Sequence, residues 1–240
     1  MDILIFSAVF PPLLYVFAAV LPAAVLLIYV YSKDRVEREP PGLLASLLWQ
    51  GVKAALAAIV LEIIGQLILD RFIKTGTLLH TILLAFLVVA AVEEGTKYYF
   101  LKRRTWNDPN FNYRFDAIVY AVFVSLGFAA FENIQYIFAY GLSVALPRAL
   151  LSIPGHMAFG VYMGVYYGRA RFRESYGYHS AAKIDRIFGY LAATMLHGFY
   201  DACAMIGTTA AAVIFILFVV ITYSNMFRRL RKEEVRDTSV

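Results

Sequence analysis

The chain has 240 residues, of which 61% are hydrophobic and only 16% charged, with a mean hydropathy of +0.66. So low a charged share excludes an ordinary water-soluble domain and points to a protein embedded in a membrane. The formal net charge of +5 would suit nucleic acid in a soluble domain, but most Lys and Arg fall in short loops between apolar runs, so they report topology and not a nucleic-acid surface.

Seven spans are expected, near 8–31, 44–69, 77–101, 116–140, 147–168, 186–206 and 209–227. Residues 3–32 carry no charge, and a crossing needs about 20 helical residues. This first run follows Asp2 without a basic leader and exceeds the apolar core of a signal peptide, so it reads as a retained span. At the far end, 187–227 holds Asp201 as its only charge and is twice the length of one crossing, so "MIGTT" is expected to be a tight hairpin. The loops test this count. With Arg148 and Arg186 at the span edges counted to their loops, Lys and Arg number three, four and five in the first, third and fifth loops and five in the tail, against two, one and none in the second, fourth and sixth. The alternation of 17 against 3 predicts an external N-terminus and a cytoplasmic basic tail, 228–240. The expected fold is an all-α polytopic bundle, a single membrane-embedded domain over 1–240, multi-pass in the cell membrane. Cys203, alone in an apolar segment, is a packing residue with no disulfide partner.

Ionisable residues inside a span are costly and need a partner or a cavity, so they mark function. "VVAAVEEGTKYYFLKRR" sets Glu93 and Glu94 side by side, with Lys97 four and three residues on. One lysine can reach either carboxylate, which leaves the other beside a like charge and poised as a base. "GFAAFENIQY" puts Phe128, Glu132 and Tyr136 on one face, with Asn133 and Tyr136 available to hold the glutamate. In "PGHMAFGVYMGVYYG", His156, Gly160, Gly164 and Gly168 recur every four residues, a small-residue stripe that admits a close helix and points the imidazole into the bundle. In "HGFYD", Asp201 shares a face with His197 and can orient it. Lys53 and Glu62, nine residues apart, cannot pair, and neither has an assigned role beyond partner contacts or snorkelling. Regular helices put His156, His197 and Glu132 at similar depth, with Glu93 and Glu94 several ångströms deeper.

Glu93-Glu94-Gly-Thr-Lys97, Phe128 to Glu132 with Asn133, Pro154-Gly155-His156, and His197 to Asp201 resemble the E-E-x-x-K, F-x-x-x-E-N, central histidine and H-x-x-x-D motifs of the PrsW family of membrane proteases, within the wider group of CAAX-type and bacteriocin-processing proteins. The resemblance covers four of the seven spans. Lys97 and Glu132 depart from the E-E-x-x-x-R and F-x-x-x-H of the CAAX prenyl-protein proteases, so roles do not transfer from those enzymes to these two positions. The resemblance implies site-1 cleavage of a single-pass, membrane-anchored anti-sigma factor.

Peptide hydrolysis needs an activated water, oxyanion stabilisation and a proton for the leaving amine. The expected roles are Glu93 as base, Glu94 held by Lys97 as its support, His156 and His197 at the oxyanion and leaving nitrogen, and Asp201 orienting His197. Glu132 is unassigned. Adjacent glutamates with a lysine partner favour a metal-free mechanism; zinc on His156, His197 and Glu132 is the alternative, though H-E-x-x-H is absent. A proton-coupled transporter would also use buried Glu, His and Asp, and a non-catalytic scaffold or immunity protein would keep the fold. No inverted repeat of the transporter kind is visible.

Overall fold

The computed structural model describes the backbone of residues 2–240 and the side chains of residues 12–240; the side chains of the first four residues of the predicted span 8–31 lie outside the described residues. Among the described residues seven helices follow one another: α1 (Asp2–Lys33), α2 (Pro41–Phe72), α3 (Leu78–Thr105), α4 (Asp116–Tyr140), α5 (Leu142–Ser175), α6 (His179–Ile206) and α7 (Thr209–Val235). Six are long and apolar enough to cross a membrane; α6, with its charged first turns, is the exception by composition. Among the described residues the only extended pairing is a bridge between Tyr113 and Ser239. The predicted all-α bundle is what forms, and the chain turns between α6 and α7 where the hairpin was expected, at Gly207 with φ 70°.

α4 is the central helix, buried along most of its length. It packs on α1, α2 and α5, while α5 also packs on α6. The glycine stripe of α5 explains its close approach to α4. A Cβ on Gly164 would lie 2.6 Å from Cα of Ile118, and one on Gly160 would lie 2.8 Å from Oγ of Ser125. Only a hydrogen at these positions lets the two helices approach backbone to backbone, which gains dispersion contact where lipid offers no hydrophobic drive.

One end of the bundle gathers the basic loops. Glu234 pairs with Lys33 at 3.3 Å and Arg35 at 2.9 Å, and the tail after α7 is tied down when Asp237 accepts from the Phe115 backbone N–H at 2.9 Å and Val240 donates to Asn112 O at 2.8 Å. The opposite end carries the short connections 73–77, 141 and 207–208. Two stretches of wide π turn, Leu84–Ala90 in α3 and Arg148–Ser152 in α5, interrupt otherwise regular helices just before Glu93 and His156. Such bulges re-aim side chains and recur at functional sites.

Candidate active site and metal centre

α3 delivers Glu93, Glu94 and Lys97 to the bundle interior, all three buried, with Glu94 and Lys97 almost wholly so at 0% and 1% exposure. Lys97 Nζ donates to Glu93 Oε2 at 3.0 Å and to Glu94 Oε1 at 2.7 Å. The lysine therefore serves both carboxylates where helical spacing had suggested one. Its third contact reaches another helix, His156 Nδ1 at 3.0 Å. An ammonium only donates, so Nδ1 of His156 is the acceptor and the ring proton sits on Nε2. That proton points to Glu132 Oε2 at 3.1 Å. Below the ammonium, the Phe128 ring lies 4.0 Å away, a cation–π contact that stabilises a desolvated charge.

His197 completes the cluster from α6. Its Nδ1 lies 2.9 Å from Glu94 Oε1 and its Nε2 lies 3.3 Å from Asp201 Oδ2, so Asp201 orients the ring as its i, i+4 spacing predicts. Phe159 stacks on the other face at 4.8 Å. The depth gap expected between the glutamates and the histidines is closed. π turns take more residues per turn, so Glu93 comes out less deep than a regular helix would place it, and the glutamate side chains span the rest.

Glu132 is held by Arg148 at 2.8 Å and by His156, not by Asn133 and Tyr136. Asn133 instead links α4 to α1 by donating to Ala19 O at 2.9 Å and accepts from Arg148 Nε at 2.7 Å. Tyr136 lies under the Arg148 guanidinium, 3.8 Å from ring centre to Cζ. Arg148 escaped the sequence analysis because a lone arginine near a span end looks like a topology marker. Glu62, left without a role, faces the same space, and its Oε1 is buried without a hydrogen-bond partner. Lys53 stays off this wall, and Cys203 is buried and free.

These groups bound a cavity of about 440 Å³ toward the sparsely charged end of the bundle. Glu93, Glu132, His156, His197 and Asp201 line it, whereas Glu94 and Lys97 lie behind the wall. α2 contributes the small or apolar residues Ala55, Ala58 and Ile59, with Glu62 beyond them. Five carboxylates, Glu62, Glu93, Glu94, Glu132 and Asp201, face two permanent cations, Lys97 and Arg148. Burial makes that excess of negative charge costly, and protons or a bound cation would offset it.

The chemistry of the donors suits a metal. One ligand atom each from Glu93, Glu94, His156 and His197 lies within 4.8 Å of all the others, and Glu94 Oε2 is buried with no partner. Tetrahedral bonds of about 2.0–2.1 Å put donors roughly 3.4 Å apart, so the four atoms must close inward to share an ion. Each histidine turns Nδ1 toward the cluster and gives Nε2 to a carboxylate, Glu132 or Asp201, the outer arrangement that orients metal-ligating imidazoles. Glu132 thus stands outside the four-donor group, behind His156.

Known proteins resemble the chain over the segment that carries this site. Residues 39–224 match the family described as PrsW family intramembrane metalloprotease, a segment that contains every residue of the cluster. The chain is 30% identical over 218 residues to "Protease PrsW" of Clostridioides difficile (strain 630), covering 89% of each chain. It is 33% identical over 187 residues to "Protease PrsW" of Geobacillus kaustophilus (strain HTA426), covering 77% of this chain and 76% of the relative, and 31% identical over 185 residues to "Protease PrsW" of Bacillus subtilis (strain 168), covering 77% and 79%. No solved structure matches. A polytopic helical bundle with a buried carboxylate–histidine cluster, matched to proteases over most of its length, belongs to the PrsW family of intramembrane metalloproteases and is a multi-pass membrane endopeptidase.

Proposed function

We propose that the chain makes the first cut in a single-pass, membrane-anchored substrate of the anti-sigma-factor type, using zinc held by Glu94, His156 and His197. The observation that supports this most is the paired orientation of the two imidazoles, each with Nδ1 inward and Nε2 on a carboxylate. Nitrogen and carboxylate donors in a compact buried group suit zinc. Bound there, the ion would supply a Lewis acid and a water of lowered pKa.

The chain's own residues then divide the work. Glu93 is the carboxylate of the α3 pair that reaches the cavity wall, so it accepts the proton of the attacking water. Glu94, wholly buried, is fixed by Lys97 and His197. Asp201 holds Nε2 of His197 and so keeps its Nδ1 aimed into the site, and the proton that Glu93 takes from the water passes on to the leaving nitrogen. Arg148 uses Nε on Asn133 and one terminal nitrogen on Glu132, leaving other N–H groups to fix a substrate carbonyl oxygen. The apolar wall of α2 accepts the substrate's own helix.

The same proposal orients the bundle as the loop charges do, with the N-terminus outside, the basic tail in the cytoplasm and the cavity in the outer half of the membrane. The whole of 1–240 then acts as one membrane-embedded domain. The test is to incubate the purified full chain in detergent with a single-pass substrate and map the product ends by mass spectrometry. One cut near the external membrane boundary of the substrate is expected. Cutting at the cytoplasmic boundary would refute the orientation, and no cutting of any single-pass substrate would refute the assignment.

A further inference from the structure

The three hydrogens of the Lys97 ammonium are all spent on proposed metal-site atoms: Glu93 Oε2 at 3.0 Å, Glu94 Oε1 at 2.7 Å and His156 Nδ1 at 3.0 Å. The last of these decides the matter. An imidazole nitrogen that accepts a hydrogen bond offers a single lone pair, so Nδ1 of His156 cannot serve the ammonium and a metal ion at once. The outer nitrogen gives no way round this, because Nε2 carries the proton directed at Glu132.

We propose that Lys97 is the resident cation of the metal-free site and a gate on metal loading: an incoming divalent ion must take the His156 lone pair and the Glu94 oxygen from the ammonium before the site closes. This rests on the assignment of the cluster as a metal site and adds a role for Lys97 within it. In the metal-free chain the lysine holds two adjacent buried carboxylates together. Without it they would repel each other in a setting where an unpaired ion is costly. When metal enters, the positive charge it brings replaces that function, and the ammonium has Phe128 beneath it at 4.0 Å as a further stabilising surface. Lys97 thus lowers the affinity for metal while keeping the empty site folded. A lysine that merely oriented the glutamates for the ion would have the opposite effect on affinity.

The experiment is zinc chloride titration of the chelator-stripped full chain in detergent, comparing wild type, Lys97→Met and Lys97→Arg by bound-metal analysis and by thermal unfolding. Lys97→Met is expected to bind zinc at least tenfold more tightly than wild type, to unfold at a lower temperature when stripped, and to gain more from saturating zinc. Lys97→Arg, which keeps a cation, should not gain affinity; it also serves if the methionine variant fails to fold, since a tenfold gain in the arginine variant would overturn the proposal. Equal or weaker zinc binding by Lys97→Met overturns the role of Lys97 and leaves the metal site standing. If neither wild type nor Lys97→Met binds zinc, both the gate and the zinc assignment fall.

Discussion

Nε2 of His156 meets Oε2 of Glu132 at 3.1 Å across the contact between α5 and α4, and Arg148 grips the same carboxylate oxygen at 2.8 Å. In the proposed zinc site Glu132 therefore acts through the histidine. Glu132→Gln keeps an acceptor for the ring proton but loses its charge, so zinc affinity is expected to fall about 10–100-fold without being abolished. Bound-metal analysis checks this. Complete loss of metal would make Glu132 a direct ligand.

Glu93→Gln and His197→Ala are each expected to reduce cleavage to background while leaving the chain inserted and monodisperse in detergent, because the first removes the proton acceptor and the second a proposed zinc ligand. Wild-type turnover in either variant contradicts the roles assigned here.

Gly164→Ala tests the helix approach on which the site depends. The added Cβ would fall 2.6 Å from Ile118 Cα, a backbone atom that cannot swing aside. A loss of about 1–3 kcal/mol is expected, read as a lower unfolding temperature in detergent. An unchanged temperature would mean that α4 and α5 sit further apart than described.

The basic end gives a pH dependence of its own, in the loop 34–40 outside the spans. Burial pushes the Asp34 carboxyl up to about 6 and the Glu39 carboxyl up to about 7. A carboxyl whose folded pKa is raised binds its proton more tightly in the folded chain, so its contribution is most favourable below the unfolded value near 4 and is lost as pH rises toward 7. Thermal stability should therefore decline between about pH 4 and pH 7. Glu39→Gln, which still accepts from the Tyr120 hydroxyl now at 2.7 Å, should flatten that decline by roughly 2 kcal/mol, less than the full shift would give because solvent partly screens the group. An unchanged slope in the variant would refute the assignment.

Reporters fused after Arg104, after Glu174 and at the C-terminus are expected in the cytoplasm, and those after Thr75 or Leu142 outside. A reversed pair would invert the membrane orientation proposed for the cavity.

What the sequence disclosed, and what it hid, follows from the range of each interaction. Apolar runs and loop charges are local, so the seven helices and the turn near Gly207 were legible. So was the stripe from His156 to Gly168, because a four-residue repeat already defines one helix face. The i, i+4 spacing of His197 and Asp201 likewise announced their contact. By contrast, the bond from Lys97 to His156 joins positions 59 apart, and Glu132 meets Arg148 across 16 residues. No periodicity encodes such pairings. Local spacing made Lys97 a partner for one glutamate and Arg148 a loop charge; only the packing of α3, α4 and α5 shows them engaging the cluster. Glu62 was opaque for the same reason, since its exposed neighbours on α2 give no sign that its own side faces a cavity.

The central claim is that a metal-dependent centre built on Glu93, Glu94, His156 and His197 cuts peptide bonds. The most direct measurement is cleavage of a single-pass substrate by the purified wild-type chain before chelation, after chelator stripping, and after return of one equivalent of zinc. Activity lost on stripping and restored by zinc, with Glu93→Gln inactive throughout, is the predicted result. A stripped chain that cleaves at the full rate would contradict it and would restore the metal-free glutamate mechanism that the adjacent carboxylates and their lysine first suggested.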